Sequence, residues 1–368
     1  MALVSLKPIL QAADEYQYAQ GAFNVNSISQ IRALIEMHEI LKSPAVIQAA
    51  EPALGFMGGR VDFLNSTIEE KRKGAKIIGD AVQKFAQKAS IPVALHLDHG
   101  RDLEAVKAAI DGGFTSVMID GSHLPFEENI AITKEVVEYA HSKGVSVEGE
   151  LGVLAGVEDD IFAENSTYTN PLQAIEFIKR TGVDFLAISY GTMHGPVKGS
   201  NVKLRKEIVI TIKELLRNEG IFCGIVSHGS STVPKYIIDE LNLLGGDIKG
   251  TGGISIPMLQ EVISYGISKI NIDTDIRLAT TRNVREFLKA CPTPESEELK
   301  QIVQLLNSNP GQIDPRFYLS PVMETLMYDS MPNKEIEALM HVVEDGIKEI
   351  VTTLVIHFNS LGKKNFVM

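Results

Sequence analysis

Three histidines in this chain, His99, His194 and His228, each follow an apolar, β-branched run and each stand immediately before a glycine. A glycine there lets the backbone turn sharply and brings the preceding side chain close to a ligand. Imidazoles from three separate segments can present three nitrogens to one divalent ion and leave a further position open, the arrangement of a catalytic Zn2+. Imidazole nitrogens suit Co2+ and Fe2+ as well. A lone histidine is more often a hydrogen-bonded core or capping residue, and His123, His141 and His357 are read that way.

A second group could hold an anion. Gly229, Ser230, Ser231, Asn271 and Thr274, with Gly250-Thr251-Gly252-Gly253 between them, offer exposed backbone N–H groups and hydroxyls. Such a set can bind a small phosphate without clustered Lys or Arg; ordinary turns use the same residues. Between Glu150 and Asp160 lies a glycine-punctuated acidic segment. Over a cavity mouth it could carry a mobile general base, and otherwise it is a solvated turn.

These residues need elements to position them. Short apolar runs at Gly21–Val25, Ala45–Ala49, Pro92–Leu97, Ser116–Ile119, Ser146–Glu150, Asp184–Ile188, Phe222–Val226 and Lys269–Ile272 read as strands. Helical patterns separate them, among them Asp102–Ile110, Glu127–Ser142, Pro171–Thr181, Lys206–Asn218 and Met258–Tyr265. Eight strands joined through helices predict parallel pairing and a closed (β/α)8 TIM barrel, an α/β fold. No GxGxxG follows the first strand, which argues against a doubly wound sheet. The polar residues above then fall at the carboxyl ends of strands, where barrels of this kind carry their chemistry. From about residue 286 strand signals stop, and Glu335–Leu361 is a long amphipathic pattern. The expected division is a catalytic barrel over 1–285 and a helical extension over 286–368.

The 368 residues carry a net charge of −12, which argues against a broad nucleic-acid or membrane surface. No apolar run approaches the roughly 18 residues a membrane span needs. The first residues lack a charged region followed by a long apolar core, so no secretory signal is expected. Cys223 and Cys291 are far apart and form no CxxC; a reducing, cytoplasmic setting fits.

Together the segments Gly21-Ala-Phe-Asn-Val-Asn26, HLDHG, EGELG, YGTMHG, HGSS and NIDTD resemble, in order, the motifs of the class II, metal-dependent fructose-1,6-bisphosphate aldolases. NIDTDIRLA and the long C-terminal part look most like the subtype known from autotrophic bacteria. The resemblance implies reversible cleavage of fructose 1,6-bisphosphate to dihydroxyacetone phosphate and glyceraldehyde 3-phosphate, and a homodimer or homotetramer. By the same likeness His99, His194 and His228 match zinc ligands, and Asp120 and Glu150 match carboxylates of an alternative metal position. Asp98 matches the acid/base at the aldehyde-derived oxygen, and Glu158 the loop glutamate that moves a proton at the dihydroxyacetone carbon. Asn26, Gly195, Lys198, Gly229, Ser231, Asn271, Asp273 and Thr274 match substrate- and phosphate-binding positions, and some of these loops bind a monovalent cation in the family.

Three departures stand out. Ser230 puts a side chain in a turn usually written HGGSG, Ala155-Gly156 replaces Gly-Gly, and Ala50 stands where a serine is frequent. A tagatose-1,6-bisphosphate aldolase is the nearest alternative, and Asp273 favours the fructose epimer. A TIM-barrel metal-dependent hydrolase is more distant, because its HxH on the first strand is missing from Phe23-Asn24-Val25. Arg277, Arg282 and Arg316 are candidates for the second phosphate.

Overall fold

The computed structural model describes residues 3–154, 156–158, 161–163, 167–195, 202–249 and 252–367. Eight parallel strands close into a barrel: β1 (Gln20–Asn24), β2 (Ala45–Ala50), β3 (Val93–Gly100), β4 (Ser116–Ile119), β5 (Ser146–Leu151), β8 (Phe185–Ile188), β9 (Gly224–Ser227) and β10 (Ile267–Ile272). Closure comes from β1 pairing with β10, Gln20 opposite Lys269. The acidic segment read as a loop contains a short antiparallel hairpin, β6 (Gly156–Glu158) with β7 (Ile161–Ala163).

Helices follow the strands and cover the outside, so the strands are buried on both faces. Their ends carry the expected signals. Ser27 accepts from Gln30 N at the start of α2 (Ile28–Leu41), and Thr67 and Glu70 form a reciprocal cap.

The barrel interior changes character along its axis, because inward residues recur every second position. Near the amino-terminal end Ala22, Val46, Ala94, Met118 and Phe185 pack on Leu6, Ile9 and Leu10 of α1 (Leu6–Glu15), which plugs that mouth. Two residues further along the strands the inward set becomes polar: Asn24, Gln48 and His96, with Glu148 and Lys269 also buried. The open, carboxyl end is therefore where polar chemistry collects.

Helix α11 (Thr274–Ala290) leads directly out of β10. Beyond it α12 (Glu297–Ser308) and short helices reach α15 (Lys334–His357). Buried Leu339, Val343, Ile347, Ile350 and Leu354 pack α15 onto the barrel, where it meets α11, α2 and β1. Among the described residues no helix is long and apolar enough to cross a membrane.

Candidate active site

Asp98 and His99 are neighbours on β3, and regular pleating would send them to opposite faces. The pairing with β4 slips between Leu97↔Val117 and Gly100↔Ile119, so β3 carries one extra residue. His99 sits at φ +47. A bulge of this kind re-aims side chains, and it delivers both residues to the barrel mouth.

There the imidazoles converge. Ring centroids lie 4.7 Å apart for His99 and His228, 5.7 Å for His99 and His194, and 6.4 Å for His194 and His228. His99 Nδ1 is 3.0 Å from Asp120 Oδ2, and His228 Nε2 is 2.8 Å from Glu148 Oε1. Burial pushes the Asp120 carboxyl up, but the hydrogen bond and charge of His99, with Ser122, more than offset this and hold it well below the carboxylate range. An ionised carboxylate can only accept, so His99 Nδ1 and His228 Nε2 are the protonated nitrogens. The remaining nitrogens, His99 Nε2 and His228 Nδ1, then face each other at 3.0 Å with lone pairs opposed. A metal ion beside both nitrogens, or a further proton on one ring, relieves that contact.

The surrounding donors fit such an ion. Ligand atoms of Asp98, His99 and His228 all lie within 4.8 Å of one another, as do those of His99, Asp120 and Glu150. Glu150 Oε2 is 3.6 Å from His228 Nδ1. Both sets mix imidazole nitrogen with carboxylate oxygen, donors that Zn2+ takes at about 2.0–2.2 Å; neither set includes His194, whose ring stands 5.7 Å from that of His99.

A cavity of about 240 Å³ opens beside these groups. Asp98, His194, Gly195, Gly229, Ser231, Asn271, Asp273 and Thr274 line it. Gly229 has φ +59, and a Cβ there would fall 2.6 Å from the Met193 backbone, so the turn requires glycine. Asn26 is not among the lining residues, whereas Asn24 is. Asn24 donates to Asp98 Oδ2 at 3.3 Å and Asn271 to Oδ1 at 3.0 Å. Lys198 and Ala155 lie outside the described residues; for Glu158 the described feature is its place at the end of β6. The backbone of this hairpin touches the site, since Gly156 bridges to His194.

Of the arginines, Arg277 lines the cavity and pairs with Asp273 at 2.5 Å and Asp314 at 3.0 Å. Burial pushes the Asp314 carboxyl up, but the charges of Arg277 and Arg316 prevail and hold it at about 2. Arg316 is buried behind Phe63, 4.2 Å from its ring centre. Arg282 pairs with Glu240 and Glu349 away from the cavity.

Sequence reasoning missed the layer beneath. Glu148 also accepts from Lys269 at 2.8 Å and approaches His96 Nε2 at 3.4 Å, all three fully buried. Charged residues inside otherwise apolar strands were the available signal. Ser230 is a further case. Its hydroxyl turns inward to Ser227 at 2.6 Å, and Ser227 meets Tyr190, so its side chain is tied down within the turn.

Comparison with known proteins gives a consistent picture. The model of the family described as fructose-bisphosphate aldolase class-II matches residues 4–363. A fructose-bisphosphate aldolase of Giardia intestinalis is 40% identical over 325 residues, covering 87% of this chain and 88% of its own. One from Geobacillus stearothermophilus is 41% identical over 292 residues, 79% of this chain and 88% of its own. The crystal structure of the YdjI aldolase of Escherichia coli K12 superposes with a TM-score of 0.67 at 27% identity, covering 98% of this chain and 99% of that one.

Proposed function

The chain belongs to the class II fructose-bisphosphate aldolase family, and from that premise we propose that it cleaves fructose 1,6-bisphosphate around one Zn2+ held by His99, His194 and His228. Membership makes it an aldehyde-lyase of a metal-dependent family that acts on a sugar bisphosphate. What supports this choice of ligands is the pair of opposed lone pairs on His99 Nε2 and His228 Nδ1, 3.0 Å apart beside His194. Asp120 and Glu150, with His99, would serve an alternative metal position.

When bound, the ion supplies Lewis acidity at the ketone and adjacent hydroxyl oxygens, lowering the cost of negative charge at the neighbouring carbon. The side chains do the rest. Asp98, held by amide donors from Asn24 and Asn271 on its two oxygens, takes the C4 hydroxyl proton as the C3–C4 bond breaks and the aldehyde leaves. Glu158 then gives a proton to the dihydroxyacetone carbon. Condensation runs both transfers backwards.

The turn Gly229–Ser231 and the start of α11 at Thr274 would bind one phosphate, with Gly195 and Lys198 from the preceding loop. Arg277 is the cation best placed for the other, since it lines the same cavity. We further assign Asn26 to substrate binding, although it does not line the cavity, a monovalent cation to the phosphate loops, a homodimer or homotetramer, and a cytoplasmic setting. The division into a barrel over 1–285 and a helical extension over 286–368 is also our proposal, with α11 running across the join.

A coupled assay with fructose and tagatose 1,6-bisphosphates tests the reading. Turnover of the fructose epimer that chelation abolishes and Zn2+ restores is expected. Preference for tagatose 1,6-bisphosphate would move the chain to the alternative substrate.

A further inference from the structure

Asp275, the second residue of α11, is wholly buried and has no part in the reaction described above. Its carboxylate accepts three hydrogen bonds from one dipeptide in the loop after β9. Thr232 N and Oγ1 donate to Oδ2 at 2.8 and 2.9 Å, and Val233 N donates to Oδ1 at 2.7 Å. Val233 lies at φ +47, a left-handed conformation that a β-branched side chain resists. Two unfavourable features are therefore joined. A buried carboxylate needs donors, and these three are in place when Thr232–Val233 keep this bend.

The same turn is held elsewhere. Ile254 N donates to Ser231 O at 3.1 Å. Gly253 packs so closely that a Cβ on it would fall 2.2 Å from the Thr232 carbonyl carbon. Ser230 is hooked inward on Ser227. The Asp275 clamp differs from these contacts because it joins the turn to the first residues of α11, and both Gly229–Ser231 and Thr274 line the cavity.

We propose that Asp275 is a positioning residue for phosphate binding: it holds the strained Thr232–Val233 bend so that the Gly229–Ser231 turn and the amino terminus of α11 stay in register around one anion. It touches no substrate. The proposal rests on the assignment of this turn to a substrate phosphate.

The full-length wild type, Asp275→Asn, Val233→Gly and the double variant test it through KM and kcat for fructose 1,6-bisphosphate, competitive inhibition by inorganic phosphate, and zinc content. An Asn oxygen cannot replace both carboxylate oxygens, so in Asp275→Asn the KM and the phosphate inhibition constant should rise together, about tenfold or more. Its kcat should stay within about threefold, and its zinc content should match the wild type. Glycine at 233 removes the strain, so the double variant should bind phosphate better than Asp275→Asn alone. An Asp275→Asn protein with unchanged KM and phosphate inhibition would overturn the proposal, as would a double variant that binds more weakly still. Should Asp275→Asn be insoluble, Thr232→Val removes one donor and should raise both constants about threefold; no change there would count against the clamp. A wild type that neither cleaves the sugar bisphosphate nor binds phosphate would instead refute the underlying functional reading.

Discussion

Lys269 Nζ and Glu148 Oε2 form a 2.8 Å ion pair with both side chains wholly shut off from water. Burial pushes the Glu148 carboxyl up, but the Lys269 charge and the hydrogen bond from His228 more than compensate and keep it ionised. Its other oxygen, 2.8 Å from His228 Nε2, fixes which ring nitrogen faces the site. Partners of this kind orient metal-binding histidines.

Removing Lys269 leaves a buried carboxylate without its counter-charge. Lys269→Met should lower stability by about 3–5 kcal/mol, read by chemical denaturation. In the folded fraction Zn2+ affinity should fall about 10- to 100-fold in a competition titration. Wild-type affinity in that variant would show that Glu148 does not orient His228.

Asp98 and Glu158 have separable tasks in the proposed reaction. Asp98→Asn should lose carbon–carbon cleavage by about 10²- to 10⁴-fold yet still exchange the dihydroxyacetone phosphate carbon proton with solvent. Glu158→Gln should slow that exchange. Isotope release beside steady-state turnover distinguishes the two, and equal loss of both reactions in Asp98→Asn would contradict the assignment.

Arg277 and Arg282 both project from α11, less than two turns apart, yet of the two only Arg277 lines the cavity. Arg277→Met should raise KM for the bisphosphate about tenfold or more. Arg282→Met, which breaks pairs with Glu240 and Glu349 outside the cavity, should leave KM within about twofold.

Acid sensitivity should trace in part to His38, which is fully buried against Phe23. Burial drives its pKa from 6.5 down to about 3. The unfolded chain binds the proton first, so stability falls as pH drops from 6.5 toward 3 and is unaffected by this group above 6.5. The slope is about 1.4 kcal/mol per pH unit. His38→Phe should flatten the denaturation midpoint over that window by this amount, and an unchanged profile would clear His38 of the effect.

The barrel was legible because its strands are short β-branched runs spaced by helical patterns, and ends such as Ser116–Ile119 need no long-range information. The His-Gly pairs marked strand ends for the same local reason. What escaped depends on contacts across the barrel. No pattern in HLDHG announces the bulge that turns Asp98 and His99 the same way. Glu148 and Lys269 are far apart in sequence, and only closure of β5 and β10 into one barrel brings them together. Asn24, the last residue of β1, lines the cavity, whereas Asn26 lies past the end of the strand, where the two-residue alternation no longer applies and its backbone N–H donates to Gln30 Oε1. Ser230 adds a side chain to the phosphate turn, and its inward hydroxyl chain through Ser227 to Tyr190 shows how that side chain is accommodated.

One ion shared by three imidazoles is the centre of the proposed reaction. Zinc-edge X-ray absorption on protein loaded with one equivalent of Zn2+, with turnover measured on the same sample, addresses it directly. The prediction is three imidazole nitrogens at about 2.0–2.1 Å, with that shell and turnover lost together in His228→Ala. Active enzyme whose bound metal has no histidine ligand, or turnover that survives exhaustive chelation, would contradict it.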